Sequence, residues 1–172
     1  MTPARLGPDN ATLEVRTARE GVVAKAGHDL VLTVTRWEAT VELGDEPRIA
    51  LDADPRSLRV REATGGVKPL TDGDRREIGD NIDRKVLGGR PIAFRSTAVD
   101  REGDRLAVAG ELQIAGRTAT IAAELEIAAD GRVAGTIPLL QSRWGIKPYR
   151  ALMGALKVSD EVVVAIEGRL PA

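Results

Sequence analysis

The chain of 172 residues is 42% hydrophobic and 30% charged with a formal net charge of -1, the profile of one soluble globular domain large enough to bury a core. That balance, with Trp37, Phe94, Trp144 and Tyr149 as the aromatics, offers nucleic acid neither a basic field nor a stacking platform. The absence of cysteine excludes disulfides, thiolate nucleophiles and Cys-based zinc sites, and one histidine excludes a multi-His metal site within one chain, so no cofactor or metal is expected.

The opening MTPARLGPDNATLEV has no apolar signal region, and no later apolar run approaches a membrane span. The expectation is a cytoplasmic protein. Strands are predicted at Thr12–Thr17, Leu30–Leu43, Arg48–Asp52 and Leu58–Glu62, separated by the turn signals GDEP and DADP. The second run is long for one strand, and its alternation sharpens only from Trp37 onward, so a bulge or bend is expected near Thr35–Arg36. TDGDRREIGDNIDRKVLGG then changes period. Ile78, Ile82, Val86 and Leu87 fall at helical spacing, Thr71 and Asp74 fit a capping box, and Gly88–Gly89 fits a stop. A helix is expected over about residues 72–87.

Period two returns at Ile92–Val99 and persists. RLAVAGELQI places Leu106, Val108, Leu112 and Ile114 on one face, with Gly110 among them. TATIAAELEI does the same with Ala119, Ile121, Ala123, Leu125 and Ile127, and the AGR between these runs reads as a hairpin turn. Strands follow at Val133–Leu139 and Val162–Leu170, and YRALMGAL before the last is expected to form a second helical turn or a loop lid. The fold class is therefore all-β, an antiparallel β-barrel of about eight strands with one inserted helix, in a single domain over 1–172.

His28, in KAGHDLVLTV, is the candidate for catalysis. A general base needs a nucleophile and an orienting acid within reach, yet Asp29 follows it in extended chain and so points to the opposite face. No serine lies in a nucleophile elbow. The acids of DGDRREIGDNID miss the calcium-loop pattern, with Arg76 and Glu77 where a ligand and a glycine belong. No catalytic residue is assigned. The inner face remains: Leu13, Val15, Leu32, Val34, Leu58, Val60, Phe94, Leu112, Ile121, Leu125, Ile137 and Val164. A barrel of this size either packs its own side chains or holds one small ligand, and composition does not separate the two.

Three local patterns bear on that choice. RPIAFRST (Arg90–Thr97) resembles the P-x-I-x-F-x-S stretch of the YceI-like family of bacterial lipid-binding proteins. GELQIAGRTATI (Gly110–Ile121) is similar to that family's strand–turn–strand segment, with Ala115 where a turn histidine is usual, and SRWGI (Ser142–Ile146) resembles its R-x-x-G-I segment. Their order and spacing fit across residues 12–170. The resemblance implies a lipocalin-like barrel with a long apolar tunnel for an isoprenoid-type or other lipid chain, a non-enzymatic carrier or store. His28, Arg143 and Tyr149 are then candidates to meet a headgroup at the mouth. A barrel enzyme using His28 as acid/base, and a packed β-domain working through protein contacts or as a homodimer, stay open as alternatives.

Overall fold

Residues 2–21, 27–151 and 156–172 are described by a computed structural model. In chain order the strands are β1 (Ala4–Leu6), β2 (Ala11–Thr17), β3 (Arg19–Glu20), β4 (His28–Val34), β5 (Trp37–Glu42), β6 (Arg48–Ala53) and β7 (Leu58–Gly65). Helix α1 (Asp72–Asn81) follows, then β8 (Ile92–Glu102), β9 (Arg105–Ile114), β10 (Arg117–Ile127), β11 (Arg132–Leu140), β12 (Arg150–Ala151), β13 (Leu156–Val158) and β14 (Glu161–Arg169). Every strand expected from alternation is present. An 11-stranded sheet runs β1-β5-β6-β8-β9-β10-β11-β14-β2-β4-β7, and a smaller one pairs β12-β13-β3. Short β1, β3, β12 and β13 carry no periodic signal and raise the strand count above about eight. The helical turn or lid expected in YRALMGAL is flanked instead by the β12–β13 pair; residues 152–155 lie outside the described residues.

The sheet closes because one long run serves both of its ends. β4 lies beside the terminal strand β7, and β5 lies beside β1 at the opposite end, yet only Thr35 and Arg36 separate them. The expected bend falls there. It is pinned by the Thr35 N–H to the Ser57 carbonyl at 2.9 Å, the Asp54 N–H to the Arg36 carbonyl at 3.0 Å, and the buried Ser57 hydroxyl to the Asp54 carbonyl at 2.8 Å. Helix α1 then covers the β7 edge. The Arg75 guanidinium donates to the Val60 carbonyl at 3.1 Å, satisfying an acceptor that a terminal strand leaves free.

Thr71 caps α1 as its pattern predicts: the Asp74 N–H donates to its hydroxyl at 3.1 Å and its own N–H donates to the Asp74 carboxylate at 2.9 Å. The expected helix over about 72–87 is α-helical only to Asn81. Ile82–Leu87 winds as a wider π-helical turn ending at left-handed Gly88. An i to i+5 repeat sets Leu87 beneath Ile82, so both face the barrel where an α-turn would rotate Leu87 away. No helix among the described residues is long and apolar enough to cross a membrane.

One wall seam differs from the rest. β10 pairs with β9 from Arg117 to Glu126, but with β11 only at Glu126↔Ala134 and Ile127↔Val133. Pro138 has no N–H to offer a ladder along this seam, and Leu125 of β10 lies over Gly135, where a side chain would strike it.

Candidate ligand cavity

Side chains that alternate inward along this sheet do not meet at the centre. They surround a cavity of about 930 Å³, at the upper end of the range of sites that enclose a small ligand. Three separate buried clusters form its walls: one around Leu6, Leu32, Val34 and Ala39, one around Val99, Leu106, Val108, Ile127 and Val133, and one around Leu112, Leu139 and Trp144. A packed barrel of this size would show one contiguous core. Here each cluster contributes wall residues to the same space. Val15, Phe94, Ile121, Ile137 and Val164 are only half-buried, because their inner surface faces the cavity.

Of the predicted lining, Leu13, Val15, Leu32, Val34, Leu58, Phe94, Leu112, Ile121, Leu125, Ile137 and Val164 all border the cavity. Val60 does not. It is buried in the first cluster, where α1 packs on β7, beside an irregularity at which the β4–β7 register slips between Val31 and Leu32. Among the small residues, Ala123 borders the cavity, but Gly110 leaves no space. A Cβ there would stand 2.7 Å from the Phe94 ring, so Phe94 already occupies the room that the glycine leaves.

The floor lies at the hairpins after β8 and β10, and the mouth lies at the opposite end, where β2 finishes and β4 begins. His28 and Tyr149 border the cavity there. The His28 ring Nε2 lies 2.9 Å from the Lys68 carbonyl, tying β4 to the loop before α1, and Gly66 is required beneath it because a Cβ would come within 2.3 Å of Nε2. Asp29 does not orient His28: it accepts the Arg19 N–H at 2.8 Å. The Arg19 guanidinium bonds the Gly27 carbonyl and also borders the mouth. Asp74 faces the same opening; hydrogen bonds from Thr71, and then the nearby positive potential of His28, hold its carboxyl below the usual range.

Arg143, although its turn lies at the mouth end, does not border the cavity. The 3-10 turn Gln141–Trp144 directs its guanidinium outward, where it donates to the Thr120 carbonyl at 2.6 Å and lies 5.4 Å from the Trp144 ring centre. It bridges the open part of the β10–β11 seam from outside. The residues of this motif that reach the cavity are Ile146 and Trp144, the latter 1% exposed, with its indole N–H donating to the Leu112 carbonyl at 2.8 Å. Also missing from the predicted lining were Ile78, Ile82 and Val86, whose helical spacing signalled packing but not that the packed face is a cavity wall.

Residues 90–170 match the model of the YceI-like domain, a span containing all three motifs that carried the resemblance. Among solved structures, BcnA of Burkholderia cenocepacia superposes with a TM-score of 0.67 at 16% identity, covering 91% of this chain and 94% of that one. A YCEI protein of Campylobacter jejuni superposes with a TM-score of 0.59 at 12% identity, covering 80% and 82%. At such identities the likeness is one of fold. No curated protein sequence matches the chain.

Proposed function

From a YceI-like domain over residues 90–170 and the fold shared with YceI proteins, we propose that this protein binds one long apolar chain inside the barrel, as a carrier or store and not as a catalyst. The observation that carries the reading is the cavity itself, about 930 Å³ and walled by aliphatic side chains left half-buried around it. Along β10 alone, Ile121, Ala123, Leu125 and Ile127 border it in succession, a run of about 20 Å at ~3.3 Å per residue. Such a space favours length over polar recognition, since each methylene taken out of water contributes about 0.8 kcal/mol. An isoprenoid-type or other lipid chain fits these walls. Its polar end would meet His28, Tyr149 and Arg19 at the mouth.

His28 has a structural task that accounts for its position: it holds the Lys68 carbonyl, and Asp29 beside it is engaged by Arg19. The test is native mass spectrometry of protein purified from its own host, followed by organic extraction. A bound apolar chain that extraction removes is the expected result. Protein that carries nothing and takes up no cis-parinaric acid would overturn the reading.

A further inference from the structure

The three large apolar side chains left exposed among the described residues are Val67 at 79%, Leu140 at 45% and Tyr149 at 65%. All three fall at one end of the barrel. Val67 and Tyr149 border the cavity mouth, and Leu140, at the upper end of β11, immediately precedes Gln141, which also borders it. Exposed apolar residues scattered singly over a surface need no explanation, but a set confined to the rim of a cavity does. Two exposed lysines stand among them, Lys68 next to Val67 and Lys147 two residues before Tyr149, and neither has an ion-pair partner among the described residues. The acids of the same end are spread around it: Asp74, engaged by Thr71, and Glu77 border the opening from α1, Asp29 is engaged by Arg19, Asp160 accepts from Ser142, and Glu161 stands opposite Leu140 across the β11–β14 ladder.

We infer that the mouth of the barrel docks on a lipid bilayer, with Val67, Leu140 and Tyr149 entering the interface and Lys68 and Lys147 meeting anionic headgroups. This rests on the lipid-binding reading. A long apolar chain leaving the cavity through water would expose all the surface that the barrel had covered, whereas a mouth seated on a bilayer passes it from one apolar phase to another. Tyrosine and lysine are the side chains that sit at the headgroup level, one through an amphipathic ring and the other through a long stem with a charged tip. A bilayer also fits the rim better than a protein partner would, because these apolar residues stand apart on the loop before α1, the end of β11 and the segment before β12, and do not form one continuous groove.

The experiment is flotation of the full chain with vesicles of phosphatidylcholine alone and of phosphatidylcholine with phosphatidylglycerol. The expected result is co-flotation, stronger with the anionic vesicles, and reduced at least tenfold in Val67→Asp/Leu140→Asp/Tyr149→Asp. Leu140→Asp alone lies outside the cavity lining, so it should weaken flotation and leave uptake of cis-parinaric acid in vesicle-free solution unchanged. Transfer of that probe to acceptor vesicles should accelerate in proportion to vesicle concentration. A wild-type protein that floats with neither vesicle, or a triple variant that floats like the parent, overturns the docking surface. Failure of wild-type probe uptake with flotation intact would instead overturn the lipid-binding reading and leave the docking surface standing.

Discussion

At the floor of the barrel, Leu106, Ile127 and Val133 on neighbouring strands touch one another and are buried. A few residues up the same wall, Ile121 on β10, Ile137 on β11 and Val164 on β14 point inward just as regularly and remain half-buried. Both ends obey the same alternation. The difference is geometric: at the floor the inward side chains pack with Leu43, Ile49 and Leu170 and close the bottom of the cavity, whereas higher up they stop short and leave it open. Alternation therefore decides which face is inward, and barrel curvature decides whether that face becomes core or wall.

The largest expected effect lies at the floor. Leu106 is 1% exposed, and Leu106→Ala should cost about 2–5 kcal/mol, the transfer loss plus the void left behind. Ile121→Ala on the half-buried wall should cost only about 1 kcal/mol in ligand-free protein, roughly half the value of full burial. Urea titration of the two variants measures the contrast. Equal costs would mean that the upper barrel is packed after all.

Ala123→Phe tests the space directly. Ala123 borders the cavity from β10 opposite Val108 on β9, so a phenyl ring can enter it without displacing packed atoms. The apolar chain should be excluded while the thermal midpoint changes little or rises. In a filled interior the same substitution would overpack, costing about 1–3 kcal/mol. Retained lipid, or a large fall in the midpoint, would count against the cavity as a binding site.

These contrasts also mark what the sequence made legible. The β9–β10 hairpin was readable to within one residue, Arg117 belonging to β10 and not to the turn, because Thr118, Thr120, Glu124 and Glu126 alternate with apolar neighbours, and the bend at Thr35–Arg36 because alternation changes quality there. Val60 keeps the inward side that the count of every second residue gave it, opposite Leu32, but it is packed into the first cluster, and the period does not say whether an inward side chain is covered by its neighbours. Arg143 was misplaced because a 3-10 turn and a left-handed Gly145 set its direction, not the strand period. The strands β1 and β3 are too short for any periodicity, and pairing with β5 and β13 alone defines them. The volume of the cavity had no local signature, since it depends on how far opposing walls stand apart.

A smaller effect belongs to the mouth, where the cap of α1 holds Asp74, a residue of the rim. Thr71→Ala should cost about 1 kcal/mol, the usual value of an N-cap hydroxyl. Asp74→Asn should destabilise only where Asp74 is charged. Its native pKa is depressed, so the carboxylate's contribution is complete above the unfolded value and is lost as pH falls through the native one, below about 4. Thermal melts of parent and Asp74→Asn should therefore differ at neutral pH and converge in acid. A penalty that persists unchanged into acid would show that the charge is not what stabilises the cap.

The smallest effect separates the turns at the two ends. At the floor, the hairpins after β8 and β10 place glycines at positive φ, Gly103 at 63° and Gly131 at 88°. At the mouth, the two-residue turn between β9 and β10 is Ala115–Gly116, and Ala115 takes φ of 51°, the one positive-φ residue other than glycine among those described. Two successive positive φ angles are the requirement of a type I′ hairpin, for which Asn-Gly is the favoured pair. An alanine Cβ in that region crowds the following carbonyl, while asparagine tolerates it through local hydrogen bonding. Ala115→Asn should then stabilise by roughly 0.5–1 kcal/mol, read as a higher urea midpoint with an unchanged slope. The turn borders no part of the cavity, so lipid retention should not change. A fall in stability would mean that the mouth-end hairpin needs the small side chain for packing and carries no removable strain.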